Sequence, residues 1–288
     1  MNLLSPTDIK TLLNKYGAKP SRGLGQNFLI DKNVLDKIIT ASNLKPGDTV
    51  LEIGPGIGTL TQELAKHAGN IIAIEKDQTM VKILSETLSG CKNIEIENWD
   101  ILKFIENYKL KIENYKVVAN IPYYITSPVI RKFLEAENKP DFMVLMVQKE
   151  VAQRICSKPP DMTLLSVSVQ FYADAKIISY VSKNCFWPSP KVDSAIIKIT
   201  PAKAERDPIS IIRDRVSSDS SEFFFKVVKA GFSHPRKQLA GNLTEGLKLT
   251  KEKTTKWLAK NKIDPTQRAE TLSIQDWKNL TTSFKLIK

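Results

Sequence analysis

The chain has 288 residues, 42% of them hydrophobic, enough for one large domain and a smaller companion. It carries 43 Lys+Arg against 31 Asp+Glu, a net charge of +12, which suits a polyanionic partner, although a well-solvated basic surface has the same composition. No apolar run approaches the roughly eighteen residues of a membrane span, and the N-terminus lacks the basic-then-apolar order of a secretory signal. Cys91, Cys156 and Cys185 form no C-x-x-C pair, and His67 and His234 are the only histidines. A disulfide framework and a metal site are therefore not expected, and a reducing cytoplasm is the expected compartment.

The first element is an amphipathic helix, with Ser5 as N-cap, Pro6 at the first helical position and Gly17 as the stop. Residues 17–30 are rich in Gly, Pro and basic side chains and read as a loop. Residues 31–42 read as a helix, with Val34, Leu35, Ile38 and Ile39 at helical spacing. From there short apolar runs at 49–53, 70–75, 93–98, 115–119 and 141–147 alternate with helical segments that include 58–68, 77–88 and 126–137. Near-continuous apolar strands separated by helices predict a mostly parallel sheet covered on both faces. The pattern continues less regularly through 163–181 and 192–199. Beyond residue 201 strand candidates end, and 219–231, 235–246, 250–261 and 273–286 read as helices. The domains expected are 1–200 and 201–288. The last 88 residues carry 18 basic and 10 acidic side chains, most of the excess charge.

The first strand of the series runs into Glu52-Ile53-Gly54-Pro55-Gly56-Ile57-Gly58 before a helix. Glycines there let the backbone turn sharply and approach a ligand at the carboxyl edge of the sheet, though a tight turn without a ligand has the same sequence. The dinucleotide fingerprint G-x-G-x-x-G fails because Thr59 stands at its third glycine position. The spacing instead resembles the E-x-G-x-G-x-G motif of class I methyltransferases. Glu75 ends the next strand about twenty residues on, where a carboxylate can accept hydrogen bonds from ribose hydroxyls. Asp100 follows the third strand. It reads as a turn or cap residue, or, in the methyltransferase pattern, as the acceptor for the cofactor's adenine amino group.

Asn120-Ile121-Pro122-Tyr123 follows the fourth strand. Pro122 alone would serve as a strand terminator, yet the tetrapeptide at this place resembles [NDS]-[IP]-P-[YF] of methyltransferases that act on exocyclic or amide nitrogens. An adenine amino lone pair is delocalised into the ring and is a poor nucleophile until the nitrogen becomes more tetrahedral. The Asn120 side-chain oxygen and a backbone carbonyl in the Pro122 region can hold its two protons and favour that shape. Tyr123 can stack on the base and attract the positive charge that grows during transfer. The target must be unpaired or flipped out of its stack.

With these motifs in place the chain resembles the small-subunit (16S) rRNA adenine dimethyltransferase family, whose loss confers kasugamycin resistance in bacteria. Gly25-Gln26-Asn27-Phe28-Leu29 matches its N-terminal G-Q-N-F-L, and Gln148-Lys149-Glu150-Val151-Ala152-Gln153-Arg154 resembles Q-K-E-V-A-x-R. Phe186-Trp187-Pro188-Ser189-Pro190-Lys191-Val192-Asp193-Ser194 matches F-x-P-x-P-K-V-D-S, and Ile263-Asp264-Pro265 with Arg268-Ala269-Glu270 resembles I-D-P-x-x-R-A-E. The resemblance implies a class I S-adenosylmethionine methyltransferase fold, Rossmann-like with a mostly parallel seven-stranded sheet and a small C-terminal all-α domain. It further implies a segment 1–32 that closes over the cofactor, and cofactor contacts from Asn27, Leu29, Gly54, Glu75, Asp100 and Asn120. Phe186 is implied as a second aromatic wall of the target-base pocket beside Asn120, Pro122 and Tyr123. The implied reaction converts S-adenosylmethionine to S-adenosylhomocysteine, without a metal, while dimethylating two adjacent adenines of the 3′-terminal hairpin of 16S rRNA. The setting is an immature 30S particle, with the enzyme acting as a monomer that does not bind membranes.

The chain departs from the family pattern at Tyr124, where Asn is usual, and at His234-Pro235, where Gln-Arg often precedes Arg236-Lys237. Arg22, Arg154, Arg236 and Lys237 are the candidate phosphate contacts. Two other readings stand beside this one. A macrolide-resistance dimethyltransferase of 23S rRNA shares the N-terminal motif, the tetrapeptide and the F-x-P-x-P segment but not the C-terminal signature. A non-catalytic ribosome-assembly factor would tolerate damaged catalytic motifs, which this chain does not have.

Overall fold

The computed structural model describes residues 1–21, 23–107, 112–202 and 218–284. They divide into two compact units: Met1–Ala152 with Ala175–Pro201, and Gln153–Asp174 with Ala202–Lys288.

In the first unit, helix α1 (Pro6–Lys15) starts where Ser5 accepts the Asp8 amide, and Gly17 follows its end at φ +61°. After strand β1 (Phe28–Leu29), Asp31 caps α2 (Lys32–Ser42) by accepting the Val34 amide. Strand β2 (Thr49–Ile53), α3 (Thr59–Ala65), β3 (Asn70–Glu75), α4 (Gln78–Thr87), β4 (Ile94–Asn98), α5 (Ile101–Asn107), β5 (Tyr115–Asn120), α6 (Thr126–Glu135) and β6 (Met143–Gln148) then alternate. Helix α7 (Lys149–Cys156) and strands β7 (Ala173–Val181), β8 (Phe186–Trp187) and β9 (Ser194–Pro201) complete this stretch, which is interrupted by α8 (Leu164–Gln170) of the second unit.

The main sheet has seven strands in the order β4-β3-β2-β5-β6-β9-β7. The pairs from β4 to β6 are parallel, and β9 runs antiparallel against β6, with Gln148 opposite Ser194. The order reverses between β2 and β5, whose carboxyl ends carry Gly54 and Asn120. Such a switch point opens a crevice at the strand ends, where ligands of open α/β sheets bind. Strands β5 and β6 are apolar because both their faces are covered, as in Val117, Val118, Val144 and Leu145, none of which is exposed.

The loop expectation for 17–30 needs one amendment. Phe28 and Leu29 pair antiparallel with Trp187 and Phe186, so the loop ends in a two-stranded ribbon. Helices α5, α7 and α8 lie in stretches that the sequence pattern left unassigned; each spans only seven or eight residues, too short for periodicity to stand out.

The second unit contains α8 with α9 (Ser218–Gly231), α10 (Leu239–Leu247), α11 (Lys251–Lys260) and α12 (Ile274–Phe284). Its core holds Phe224, Leu243, Trp257 and Trp277, all buried. A division at residue 200 placed 153–174 with the sheet, whereas this segment belongs to the helical unit. The reason is aromatic: Phe171 stacks on Phe224 with centroids 4.1 Å apart, and the Met162 amide donates to the Glu270 carbonyl at 2.9 Å. The I-D-P-T-Q-R-A-E segment is a structural clasp within this unit. Asp264 accepts the Thr266 amide, the Leu239 amide donates to the Gln267 carbonyl, and Ile263 and Ala269 are buried. Helix α10 starts at Leu239 rather than 235, because His234–Lys237 forms a turn closed by the Lys237 amide on the His234 carbonyl.

Candidate cofactor and reaction site

At the end of β2 the chain turns through Gly54, Gly56 and Gly58, at φ +63°, +60° and +90°. These left-handed conformations are open to glycine at little cost. The turn is held from β3: the Gly54 amide donates to the Ile74 carbonyl, and the Gly56 amide donates to Glu75 Oε2 at 3.1 Å. Glu75 Oε1 accepts the Asp77 amide at 2.8 Å. Burial raises the Glu75 carboxyl above its ordinary range, and these backbone donors only partly offset it. Lone pairs on both oxygens remain for a ligand.

Glu52, one residue before the end of β2, is 1% exposed and its Oε2 has no hydrogen-bond partner. Burial pushes its carboxyl up to about 8, and the negative charge of Glu75 adds to the rise. A buried polar oxygen without a partner is costly, so this atom marks a place where a polar ligand group fits. No signal in the sequence reading pointed to it beyond its place in the glycine motif.

On the third strand's edge Asp100 accepts from Lys76 Nζ at 2.8 Å and from the Leu102 amide at 2.9 Å, capping α5. Partial burial works against its ionised form, but Lys76 and the backbone donors outweigh it and hold the carboxyl below the usual range. Asp100 is therefore a helix cap and also a wall of the cavity.

The N-terminal loop closes the other side. Gln26 donates to Asp77 Oδ2 at 2.9 Å and accepts the Ser21 amide at 2.8 Å, which ties the loop to the turn after β3. Gly25, at φ +65°, lies so close to Pro122 that an added Cβ would stand 3.4 Å from the proline Cβ, and one on Gly54 would stand 3.4 Å from its Cδ. The Pro122 ring is thus wedged between the two glycine turns. Asn27 donates to the Gly25 carbonyl, and the Asn27 carbonyl in turn accepts from Asn120 Nδ2 at 3.3 Å.

Asn27, Leu29, Gly54, Glu75, Asp100 and Asn120 all line one cavity of about 280 Å³. Glu52, Trp99, Pro122 and Tyr124 share the lining. Tyr124 is 54% exposed, at the rim.

The reaction-site residues divide. Asn120 commits its amide N–H to Asn27, which leaves its oxygen as an acceptor. The Pro122 carbonyl already accepts the Ile125 amide at 3.1 Å in a short turn, so one of its lone pairs is spent. The Tyr123 hydroxyl bonds Ser194 Oγ at 2.6 Å, which fixes the ring against β9, and burial raises its pKa. Phe186 is 3% exposed, packs in the core with Leu29 and Val34, and is not among the cavity residues. In this conformation it buttresses Leu29 through the ribbon rather than presenting an open ring face. Among the basic candidates Arg154, Arg236 and Lys237 are exposed in the helical unit, and Arg22 lies outside the described residues. Among the described residues no three or more His, Cys, Asp or Glu side chains are grouped to hold a metal ion. No helix among them is long and apolar enough to cross a membrane.

The family model of ribosomal RNA adenine dimethylases matches residues 18–286. The chain belongs to that family. A ribosomal RNA small subunit methyltransferase A from Dehalococcoides mccartyi (strain CBDB1) is 46% identical over 276 residues, 96% of this chain and 92% of the relative. A protein of the same name from Clostridioides difficile (strain 630) is 40% identical over 287 residues, 97% of this chain and 96% of its own. Among solved structures, the 23S rRNA methyltransferase ErmE is 27% identical, covers 90% of this chain and all of its own, and has a TM-score of 0.72. A dimethyladenosine transferase from Plasmodium falciparum has the same identity and TM-score over 90% of this chain and 98% of its own. A class I methyltransferase fold with a helical C-terminal region was therefore legible in the sequence.

Proposed function

We propose that the chain transfers methyl groups to the N6 amino groups of two adjacent adenines in the 3′-terminal hairpin loop of small-subunit rRNA. Each adenine receives two methyls, within immature 30S particles, with S-adenosylhomocysteine as the by-product. The observation that carries the reading is one cavity lined by Glu75, Asp100 and Asn120, with the Asn120 amide held by Asn27 so that its oxygen is left to accept. S-adenosylmethionine supplies an electrophilic methyl on a sulfonium when bound. The residues fit it: Glu75 offers acceptors for ribose hydroxyls, Asp100 for an adenine amino group, and the unpartnered Glu52 oxygen for an ammonium. The three left-handed glycines keep the backbone near the ligand free of side chains.

Asn120 then takes one proton of the target amino group and a backbone carbonyl takes the other, while Tyr123 faces the base. No strong general base is required if the proton leaves after the nitrogen has become cationic, and most of the acceleration comes from in-line positioning. The Phe186 wall requires its ring to move out of the core when RNA binds. The small-subunit substrate is favoured by relatives of that name at up to 46% identity, against 27% for the 23S enzyme. The enzyme acts as a monomer in the cytoplasm.

The test is methyl transfer from labelled S-adenosylmethionine to unmethylated 30S particles and to protein-free 23S RNA, with the modified nucleotides mapped. Label on two adjacent adenines of 16S rRNA is expected; label on 23S RNA alone overturns the reading.

A further inference from the structure

The segment Gln148–Arg154 plays no part in the cavity, yet it begins beside the reaction site. Tyr123 bonds Ser194, Ser194 pairs with Gln148 across β6 and β9, and the next residue, Lys149, donates its amide to the Asp193 carbonyl at 3.0 Å. The Lys149 ammonium then lies 5.3 Å from the centroid of the Tyr180 ring on β7. Direct contacts thus lead without a break from the wall of the target-base site to a surface tyrosine.

That tyrosine stands open on β7, the last strand in the sheet order. It is 51% exposed even with the lysine over it, and Ile178, two residues back on the same face of β7, is 37% exposed. Val192, on the loop that leads to Ser194, is 45% exposed. Lys183 and Lys191 are exposed on the same loop region, against Glu150 and a half-buried Asp193 whose Oδ1 accepts the Lys183 amide. Lys149 makes no ion pair among the described residues, so its charge is held by an aromatic ring and not neutralised. An open aromatic ring flanked by unpaired lysines, next to a site for a flipped base, has the chemistry of single-strand recognition: stacking for a base, ammonium for a phosphate.

We propose that Tyr180 and Lys149 form a docking subsite for the unpaired rRNA next to the target adenine, Tyr180 stacking on a base and Lys149 binding a phosphate. The proposal rests on the rRNA reading above and names where that substrate lies on the sheet unit.

The experiment measures methyl transfer to unmethylated 30S particles by the full chain. Tyr180→Leu, which keeps apolar bulk without a ring, and Lys149→Ala should each raise KM for the particle about tenfold, the loss expected for one stack or one phosphate contact. KM for S-adenosylmethionine should stay unchanged in both, which also certifies a folded site. Tyr180→Phe should stay within about twofold of wild type, because the ring does the work. A photo-cross-linking benzoylphenylalanine at position 180 should attach to 16S nucleotides flanking the modified adenines. No transfer by the wild type overturns the substrate reading and this inference with it. Transfer with unchanged particle KM in Tyr180→Leu and Lys149→Ala, or cross-links to ribosomal protein alone, overturns this inference only.

Discussion

In the proposed reaction the chemistry turns on Asn120, whose geometry divides the two ends of its side chain. Its amide N–H is committed to the Asn27 carbonyl, so its oxygen is oriented before any substrate arrives. Preorganised hydrogen-bonding groups of this kind contribute roughly 10²–10³ in rate when lost singly. Asn120→Ala should therefore lower kcat for rRNA methylation by about 100-fold or more. Cofactor affinity, measured by calorimetry, should fall far less, because Glu75 and Asp100 remain.

Glu75→Gln should show the opposite pattern. It exchanges a carboxylate for an amide where two backbone N–H groups already converge, and hydrogen bonds to charged groups contribute about 1.5–3 kcal/mol. Cofactor affinity should drop about tenfold or more, with the loop of Gly56 loosened as well. Glu52 supplies a pH dependence. Its folded-state pKa of about 8 lies above the ordinary 4.5. The unfolded chain therefore releases this proton first, and the stability contributed by the protonated folded form is present in full below about 4.5. That stability is lost progressively as pH rises through 8. Thermal melts of Glu52→Gln and wild type should thus differ little near pH 4.5 and diverge towards pH 8, with the variant the more stable. Parallel melting curves across that range would show that Glu52 ionises normally. That Glu75, Asp100 and Asn120 converge on one cavity was legible from their position and type. Glu52 was hidden, since whether an acid at a strand end is solvated or orphaned depends on what packs over it.

At the scale of elements, one wall of the cavity is assembled by two glycine turns packed on one proline. The strand-helix alternation around Gly54 was visible as period and punctuation. The ribbon between Phe28–Leu29 and Phe186–Trp187 was not, because two-residue strands have no period and their partners lie far apart in the chain. The same limit explains why 153–174 read as part of the sheet domain: the stack of Phe171 on Phe224 is a long-range fact. Gly25→Ala tests this packing. A left-handed backbone costs a non-glycine residue about 1–2 kcal/mol, while the new methyl would only touch Pro122, at 3.4 Å. The loop should open more readily, so cofactor affinity should fall several-fold while the melting temperature of the whole chain changes by only a few degrees. Equal cofactor affinity in the variant would show that the loop does not cover the site.

At the scale of the molecule, charge is unevenly shared, with 18 of 43 basic residues in the last 88 positions. Arg236 and Lys237 sit on a turn whose backbone is pinned from below: the buried Asn242 donates to the His234 carbonyl at 3.0 Å and to the Gly231 carbonyl at 2.7 Å. The two side chains are therefore presented from a fixed base. They are not equivalent, since Lys237 lies 3.4 Å from Glu245 and Arg236 makes no ion pair among the described residues. An exposed pair of that kind contributes little to stability, but it does compete for the lysine charge. If the turn meets rRNA phosphates, Arg236→Glu should weaken binding to 30S particles more than Lys237→Glu does. The double variant should reduce the slope of log affinity against log salt by about one to two, in keeping with one released counterion per lost phosphate contact. Because neither side chain is buried, the melting temperature should not move. A salt slope identical to wild type would remove this turn from the rRNA interface and leave the excess charge of the helical unit to its other lysines.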